Sequence, residues 1–295
     1  MKKNDLLTLL LLTLAFAGCQ FNQSVNKDLA TGAYSRGDGI SSDDVKMEIN
    51  GEADSRNEFV YGEKVKFIFN DITGLNKEDG KVFPGLSMFI IKNETDTILE
   101  HQDLLADMNE GTDLTPLQLQ ANFIAALPFQ NNEAYKVYVN IWDKKGEGTY
   151  HYELPFSVKP YDFLAINAAG ISYTNIYLWD ETKQMVVFKK EISADNTFIL
   201  ILEGLDGLEV ADGKVYPAFS IDITDAQGNQ ILSDPNILEQ YRSEGVDHTA
   251  FKEGQLPVTI TFSPGEIFNP CQLKASLTDL NSDRSIDISC TLEIK

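Results

Sequence analysis

Three kinds of side chain in this sequence have the chemistry to do more than pack. The first is the thiol pair Cys271 and Cys290, nineteen residues apart near the carboxyl end. Each falls on the apolar phase of an alternating run, so the two read as core-facing residues of neighbouring strands. In an oxidising compartment they could close a cross-strand disulfide; as free thiols they would serve as small buried hydrophobes. A hairpin centred on the turn Asn281 to Arg284 would instead set Cys271 against Ile294. The second kind is imidazole: His101, His151 and His248 lie in no metal-ligand spacing, and no Gly-x-Ser-x-Gly turn accompanies His248 and its neighbour Asp247. Zinc chemistry and triad hydrolysis both lack their usual traces. Asp279, Asn281 and Asp283 begin like a calcium loop, but Arg284 stands where glycine is required and no closing glutamate follows, so the stretch reads as a hairpin tip. The third kind is aromatic. Tyr173, Tyr177 and Trp179 share a parity, and with Trp142 they are the residues that could stack sugar rings. The equivalents assigned to Tyr177 and Trp179 in the first half of the chain are Met47 and Ile49, which reads as a core face; Trp142, beside a turn, reads as the exposed ring. No catalytic residue, metal site or cofactor emerges from this survey.

The elements that must hold these residues are laid out by a repeat. Gly74 to Ser87 and Gly207 to Ser220 share eight of fourteen residues without a gap, and both contain Asp-Gly-Lys-Val-(Phe/Tyr)-Pro. Asp-Gly supplies the positive φ of a tight turn, and proline is tolerated at a strand start or edge. Val45, Met47 and Ile49 alternate with polar residues, which is the period of a half-buried strand. Similar runs follow at Val65 to Phe69, Leu86 to Ile91, Ala121 to Leu127, Tyr135 to Trp142 and Tyr150 to Val158, separated by polar turns. The second half repeats them at shifts of 133 and 136, with Cys290 on the core-facing phase of its last strand. The expected fold is all-β: two tandem homologous antiparallel β-sandwich domains over residues 45–159 and 160–295, each with at most a short helix. One such helix is expected from Asp234 to Tyr241, with a weaker counterpart at Asp103 to Met108.

The amino terminus differs from the rest. Lys2 and Lys3 precede the apolar run Leu6 to Phe16, which is too short for a stable membrane span. Phe16-Ala17-Gly18-Cys19 resembles the lipobox of bacterial lipoproteins, which implies a signal peptide over residues 1–18, removed to leave a diacylated Cys19. Residues 19–44, rich in Asn, Ser, Gly and Asp, read as a flexible tether. They include Arg36-Gly37-Asp38, which as an isolated tripeptide carries little information. The chain has a formal charge of −21, and removal of the first eighteen residues leaves −22. That balance excludes nucleic acid as a partner and leaves membrane association to the lipid on Cys19.

Taken whole, the sequence resembles exported bacterial lipoproteins built from tandem Ig-like sandwiches. The resemblance implies anchorage to a bacterial membrane, an outer membrane where the source has one, and a non-enzymatic role as spacer and interaction module with an unknown protein or glycan partner. Glycan binding in a polysaccharide-uptake system, as in starch-binding outer-membrane lipoproteins, and a pilus or fimbrial role are the alternatives it leaves open.

Overall fold

The computed structural model describes residues 23–126, 133–263 and 265–295. The signal segment 1–18 and Cys19 lie outside them. Two compact units partition the chain, the second comprising Val60–Glu63 and Lys159–Lys295. In the first unit the strands are β1 (Gln23–Lys27), β2 (Tyr34–Asp38), β3 (Asp44–Ile49), β4 (Glu52–Ala53), β5 (Glu58–Val60), β6 (Lys64–Asn70), β7 (Pro84–Lys92), β8 (Asp96–His101), β9 (Leu119–Ile124), β10 (Ala134–Asp143) and β11 (Thr149–Lys159). The second has β12 (Ala165–Ala169), β13 (Asn175–Asp180), β14 (Met185–Val186), β15 (Glu191–Ile192), β16 (Phe198–Glu203), β17 (Lys214–Val215), β18 (Pro217–Thr224), β19 (Gln230–Asp234), β20 (Val246–Asp247), helix α1 (His248–Glu253), β21 (Gln255–Ile260), β22 (Cys271–Asp279) and β23 (Ser285–Ile294). The architecture is all-β, and each unit is an antiparallel sandwich.

In unit 1 a large sheet ordered β1-β2-β11-β10-β7-β8 faces a smaller one ordered β4-β3-β6-β9; unit 2 sets β12-β23-β22-β18-β19 against β14-β13-β16-β21. Alternation fixes which side of each strand is buried. On β11, Tyr150, Tyr152, Leu154, Phe156 and Val158 all point inward. They meet aromatic residues of the facing sheet, with ring centroids 5.4 Å apart for Phe67 and Tyr152 and 5.3 Å for Phe123 and Phe156. Pairs of this kind add about 0.5–1.5 kcal/mol each beyond the area they bury.

The repeated stretch is a two-residue hairpin turn. Asp79 and Gly80 have φ of 53° and 81°, Asp212 and Gly213 have 51° and 77°, and Glu78 and Ala211 pair with Lys81 and Lys214 across the turn. Positive φ at both central positions suits a turn whose twist matches its strands. Behind each turn stands a buried aspartate. Asp143 accepts through Oδ2 from the Asn76 amide at 2.7 Å and through Oδ1 from the Lys145 amide at 3.0 Å. Asp279 does the same for Glu209 at 2.7 Å and Asn281 at 3.1 Å.

Three sequence expectations change here. Residues 23–44 are not a tether, because β2 pairs along β11 and β1 pairs along β2. Neither strand has an alternating apolar phase, so the periodicity that reveals the others is missing. Arg36-Gly37-Asp38 accordingly lies inside a strand and not on a loop tip. The helix expected from Asp234 is reduced to a 3-10 turn at Glu239–Tyr241, and Asp103 to Met108 forms turns only. In both units a side chain at this point reaches across to the neighbouring strand: Asp103 Oδ1 accepts from the amides of Leu86 and Leu105, and Asn236 Oδ1 from those of Phe219 and Leu238. The segment is thereby tied to the sheet before a helix can propagate. Among the described residues the one α-helix is α1, capped by Asp247, whose carboxylate accepts from the Ala250 amide.

Two stability effects follow. Asp143→Ala removes the acceptor that the Asn76 and Lys145 amides share, and a urea unfolding curve should show a loss of roughly 2–3 kcal/mol. Burial pushes the Asp103 carboxyl up, but Lys144 and the amides of Leu105 and Leu86 outweigh it and hold the group below the usual carboxylate value. A depressed folded-state pKa stabilises above the unfolded value and is lost as pH falls through the folded one. Asp103→Asn, which installs the residue unit 2 uses, should fold and lose less of its unfolding midpoint than wild type between about pH 5 and about pH 2.

Candidate functional site

Because the two units share a register, each outward position of one has a counterpart in the other. Phe89 lies opposite Tyr138, which in turn lies opposite Glu153; in unit 2 the same row reads Asp222, Lys274 and Ser289. The next row is Ser87, Asn140 and His151 against Ser220, Ser276 and Asp287, and the third is Gly85, Trp142 and Thr149 against Ala218, Thr278 and Ser285. Unit 2 thus presents small and charged groups where unit 1 presents Phe89, Tyr138, Trp142 and His151.

The unit 1 face is built and not a scatter of side chains. Phe89 and Tyr138 stack with centroids 4.8 Å apart and planes 12° apart, which is the close offset geometry cross-strand aromatics prefer. His151 lies 5.8 Å from the Tyr138 ring and shares a 2.7 Å hydrogen bond between Nδ1 and Asn140 Oδ1. Asn140 Nδ2 donates to Ser87 Oγ at 3.2 Å, and His151 Nε2 stands 3.7 Å from Glu153 Oε2. The indole of Trp142 lies on Gly85; a Cβ there would sit 2.0 Å from the ring, so only glycine lets the indole lie flat on the strand. Phe89, Tyr138 and Trp142 are half-buried. The Trp142 N–H and the Tyr138 hydroxyl have no hydrogen-bond partner among the described residues. Chemically the face offers flat rings, one free indole donor, one free phenol and an imidazole-amide pair. Phe89 and Tyr138 carried no flag in the sequence. Their signal is the repeat itself, which sets aromatics against Asp222 and Lys274.

Tyr173, Tyr177 and Trp179 do not face the core. On β13 the buried side chains are Ile176, Leu178 and Asp180, and Tyr173 is exposed. Asn175 pairs with Glu203 as Asp44 pairs with Asn70, so the counterparts of Met47 and Ile49 are Leu178 and Asp180. The alignment of this strand shifts by one residue, and a one-residue slip exchanges the faces. Tyr177 is nevertheless committed locally. Its hydroxyl donates to Glu203 Oε1 at 3.0 Å, alongside Gln255 Nε2 at 2.6 Å, while the Tyr61 hydroxyl donates to Oε2 at 3.1 Å. Burial, then the Glu203 charge, raises the Tyr177 pKa and keeps the phenol protonated. Trp179 Nε1 donates to Glu181 at 2.7 Å. The Tyr177 and Trp179 donors are used, unlike those of Trp142 and Tyr138.

Cys271 and Cys290 are both free and buried. Cys271 lies opposite Leu292 and Cys290 opposite Leu273, so the thiols are diagonal neighbours, farther apart than the roughly 3.5–4.5 Å between Cβ atoms that a disulfide needs. The hairpin turns one residue earlier than Asn281 to Arg284 implies, which also removes the pairing of Cys271 with Ile294. Burial raises both thiols, that of Cys290 to about 12, so neither is a ready nucleophile. Asp279 spends its carboxylate on backbone amides and on the Ser282 hydroxyl at 2.6 Å. His248 stands 3.6 Å from Asp206, which Lys252 holds at 2.7 Å, while Asp247 is occupied as the α1 cap.

Among the described residues no helix is long and apolar enough to cross a membrane. No family model matches the chain, and comparison with curated proteins yields no match. Among solved structures, one similar chain comprises the three N-terminal domains of the highly immunogenic outer capsid protein of bacteriophage RB49. It is 11% identical, with a TM-score of 0.21, over 92% of this chain and 81% of that one.

Thiol chemistry checks the cysteine geometry. Alkylation without reductant should modify both Cys271 and Cys290 in denaturant and neither at an appreciable rate in the native state. Recovery of a peptide joining the two would contradict the diagonal placement.

Proposed function

We propose that this protein is an exported lipoprotein, anchored through acyl chains on Cys19, in which two non-enzymatic sandwiches act as spacer and interaction modules. The interaction belongs to the outer face of the large sheet of unit 1. One observation carries this reading. Two copies of the same sandwich, in the same register, agree in their cores and differ where unit 1 sets Phe89, Tyr138, Trp142 and His151 against Asp222, Lys274, Thr278 and Asp287. Outward-pointing, half-buried aromatics add nothing to a core that the sister unit builds without them, and rings grouped on an outer face mark contact surfaces. The amino-terminal pattern from Lys2 to Cys19 supports the anchor, since two acyl chains would bind a membrane stably where one does so marginally.

The composition of the face favours a glycan over a protein. Saccharides present flat C–H faces and many hydroxyls, and they are held by a ring beneath and polar groups beside it. Here Trp142 and Tyr138 supply the rings while Asn140, His151 and Glu153 supply the polar edge. The half-buried state of the rings gives shape without a deep pocket, which suits an extended chain.

Fractionation and affinity electrophoresis test the two parts separately. Cys19→Ser should move the protein from the membrane fraction to the soluble one. Against a panel of immobilised polysaccharides that includes starch, Trp142→Ala and Tyr138→Ala should each weaken retention about ten-fold, a change of about 1.4 kcal/mol, and Trp179→Ala should not. Hydrolysis of any panel member would overturn the non-enzymatic reading, and retention unaffected by either unit 1 substitution would overturn the assignment of the face.

A further inference from the structure

A second place where the units differ lies inside unit 1. Residues opposite one another on paired strands share a face, so the inward phase of β11 continues across the sheet. Tyr152 is paired with Ser35, and Ser35 with Asn26; Tyr150 is paired with Gly37, and Gly37 with Ser24. The inward side chains of β1 and β2 are therefore small and polar. Where β23 of unit 2 carries Ile288 and Ile286, its neighbour β12 supplies the apolar Ile166, half-buried, and Ala168, exposed. Unit 1 has Tyr152, Tyr150, Ser35 and Gly37 instead, and the space left over is a cavity of about 380 Å³.

The lining of this cavity is sorted by chemistry. Leu154, Val45 and Met47 form an apolar wall, and Asp28, Asp43, Asp44 and Asp54 bring carboxylates to it. Two of the four are already matched: Asp54 accepts from Arg56 Nε at 3.0 Å, and Asp44 has Lys46 at 3.7 Å. Asp28 is held by the Ala30 amide and the Thr31 hydroxyl, both at 2.8 Å, with no cation. Asp43 has neither a side-chain hydrogen bond nor an ion pair among the described residues. Asp28 and Asp43, both exposed at the cavity mouth, carry negative charge that no side-chain cation among the described residues matches.

Tyr152 adds an observation independent of the acids. It is 8% exposed, its ring is fixed among Phe67 and Phe69, and it lines the cavity. Its hydroxyl has no hydrogen-bond partner among the described residues. Burial, then the neighbouring Tyr150 and the Asp28 charge, raise the Tyr152 pKa, so the group is a neutral phenol whose oxygen is free to accept. The ring is buried while the hydroxyl opens onto the cavity beside the carboxylates, where it can accept a hydrogen bond from a donor that enters from outside.

We propose that this cavity binds an alkylammonium group, a primary amine carried on a short hydrocarbon stem. The three N–H donors of an ammonium match the Asp28 carboxylate, the Asp43 carboxylate and the Tyr152 oxygen. The stem lies along Leu154, Val45 and Met47, as long cationic side chains lay their methylenes on apolar surface. A bare metal ion fits less well, because the wall is apolar and no three His, Cys, Asp or Glu side chains among the described residues stand together to hold one. The amine could be a free diamine or the side chain of a lysyl residue; both present the same group to the cavity.

Calorimetric titration of the full-length chain tests the site with cadaverine, Nα-acetyl-lysine amide, norleucine amide and calcium as probes. Cadaverine should bind and norleucine amide should not. Binding of acetyl-lysine amide as well would make a protein side chain the source, and its exclusion would make the source a free amine. Tyr152→Phe and Asp28→Asn should each weaken cadaverine about five-fold or more, both being isosteric changes that keep the packing. Ser35→Ile, which copies Ile166 of unit 2, should fill the cavity and abolish binding while the thermal unfolding midpoint stays level or rises. Equal binding of amine and norleucine amide, tighter binding of calcium than of amine, or wild-type affinity in all three variants would overturn the proposal.

Discussion

The structure hangs on a carboxylate that has left water. Asp143 and Asp279 end the penultimate strand of their sheets, each about 4% exposed, and no cation sits beside either among the described residues. What keeps them there is a set of backbone amides from two separate segments, the hairpin that follows and the loop that precedes the tight turn. An ionised group so placed is costly unless its lone pairs are filled. Once filled, it fixes three chain segments at one point. The turn at Asp79-Gly80 or Asp212-Gly213 then has a set position from which β7 or β18 departs, and that strand sets the register of the whole sheet.

From this constraint follows a division between what the repeat keeps and what it releases. Inward positions must fill a space bounded by the facing sheet, so they stay apolar in both units over most of their length. Outward positions answer only to solvent and to cross-strand neighbours. The same pairing therefore carries Phe89 and Tyr138 in one unit and Asp222 and Lys274 in the other at no cost to the core. The inward rule is relaxed at one edge, where β1 extends the unit 1 sheet beyond β2. A strand there faces the rim of the smaller sheet and not its middle, so Ser24, Asn26 and Ser35 are tolerated and a cavity replaces the core.

What could be read in the sequence tracks the same division. Alternation over Tyr150 to Val158 and its copy over Ile288 to Ile294 is the imprint of a buried face, and it is legible because burial selects for it. The Asp-Gly turns are legible because few residues accept positive φ. β1 and β2 left no such imprint: one side is polar because it faces solvent, the other because it faces a cavity, and composition alone resembles a tether. β13 was misread by one position, since Tyr177 and Trp179 are as hydrophobic as the core residues Ile176 and Leu178 beside them, and only pairing to β16 separates the two phases. The helix expected after Asp234 was misread for a different reason. Local capping signals were present, but Asn236 and Asp103 satisfy strand amides at long range, and a tertiary bond outweighed a propensity.

An internal repeat also separates fold from function in a way a single domain cannot. A partly exposed ring in an isolated sandwich has two explanations, since it either belongs to the packing or serves a contact. Here unit 2 acts as the control: it packs the same sheet with Thr278 where unit 1 has Trp142, and with Ala218 where unit 1 has Gly85. Packing therefore does not require the indole, and the absence of a Cβ at Gly85 is explained by the indole and not by the strand. The two features depend on each other and on nothing else that the second unit shares. Aromatics grouped on an outer face also favour association between copies, a tendency that the net charge of −21 opposes by keeping molecules apart. A chain whose overall charge holds off its own copies can keep such a face open for a partner that carries no charge, and a neutral glycan meets that condition.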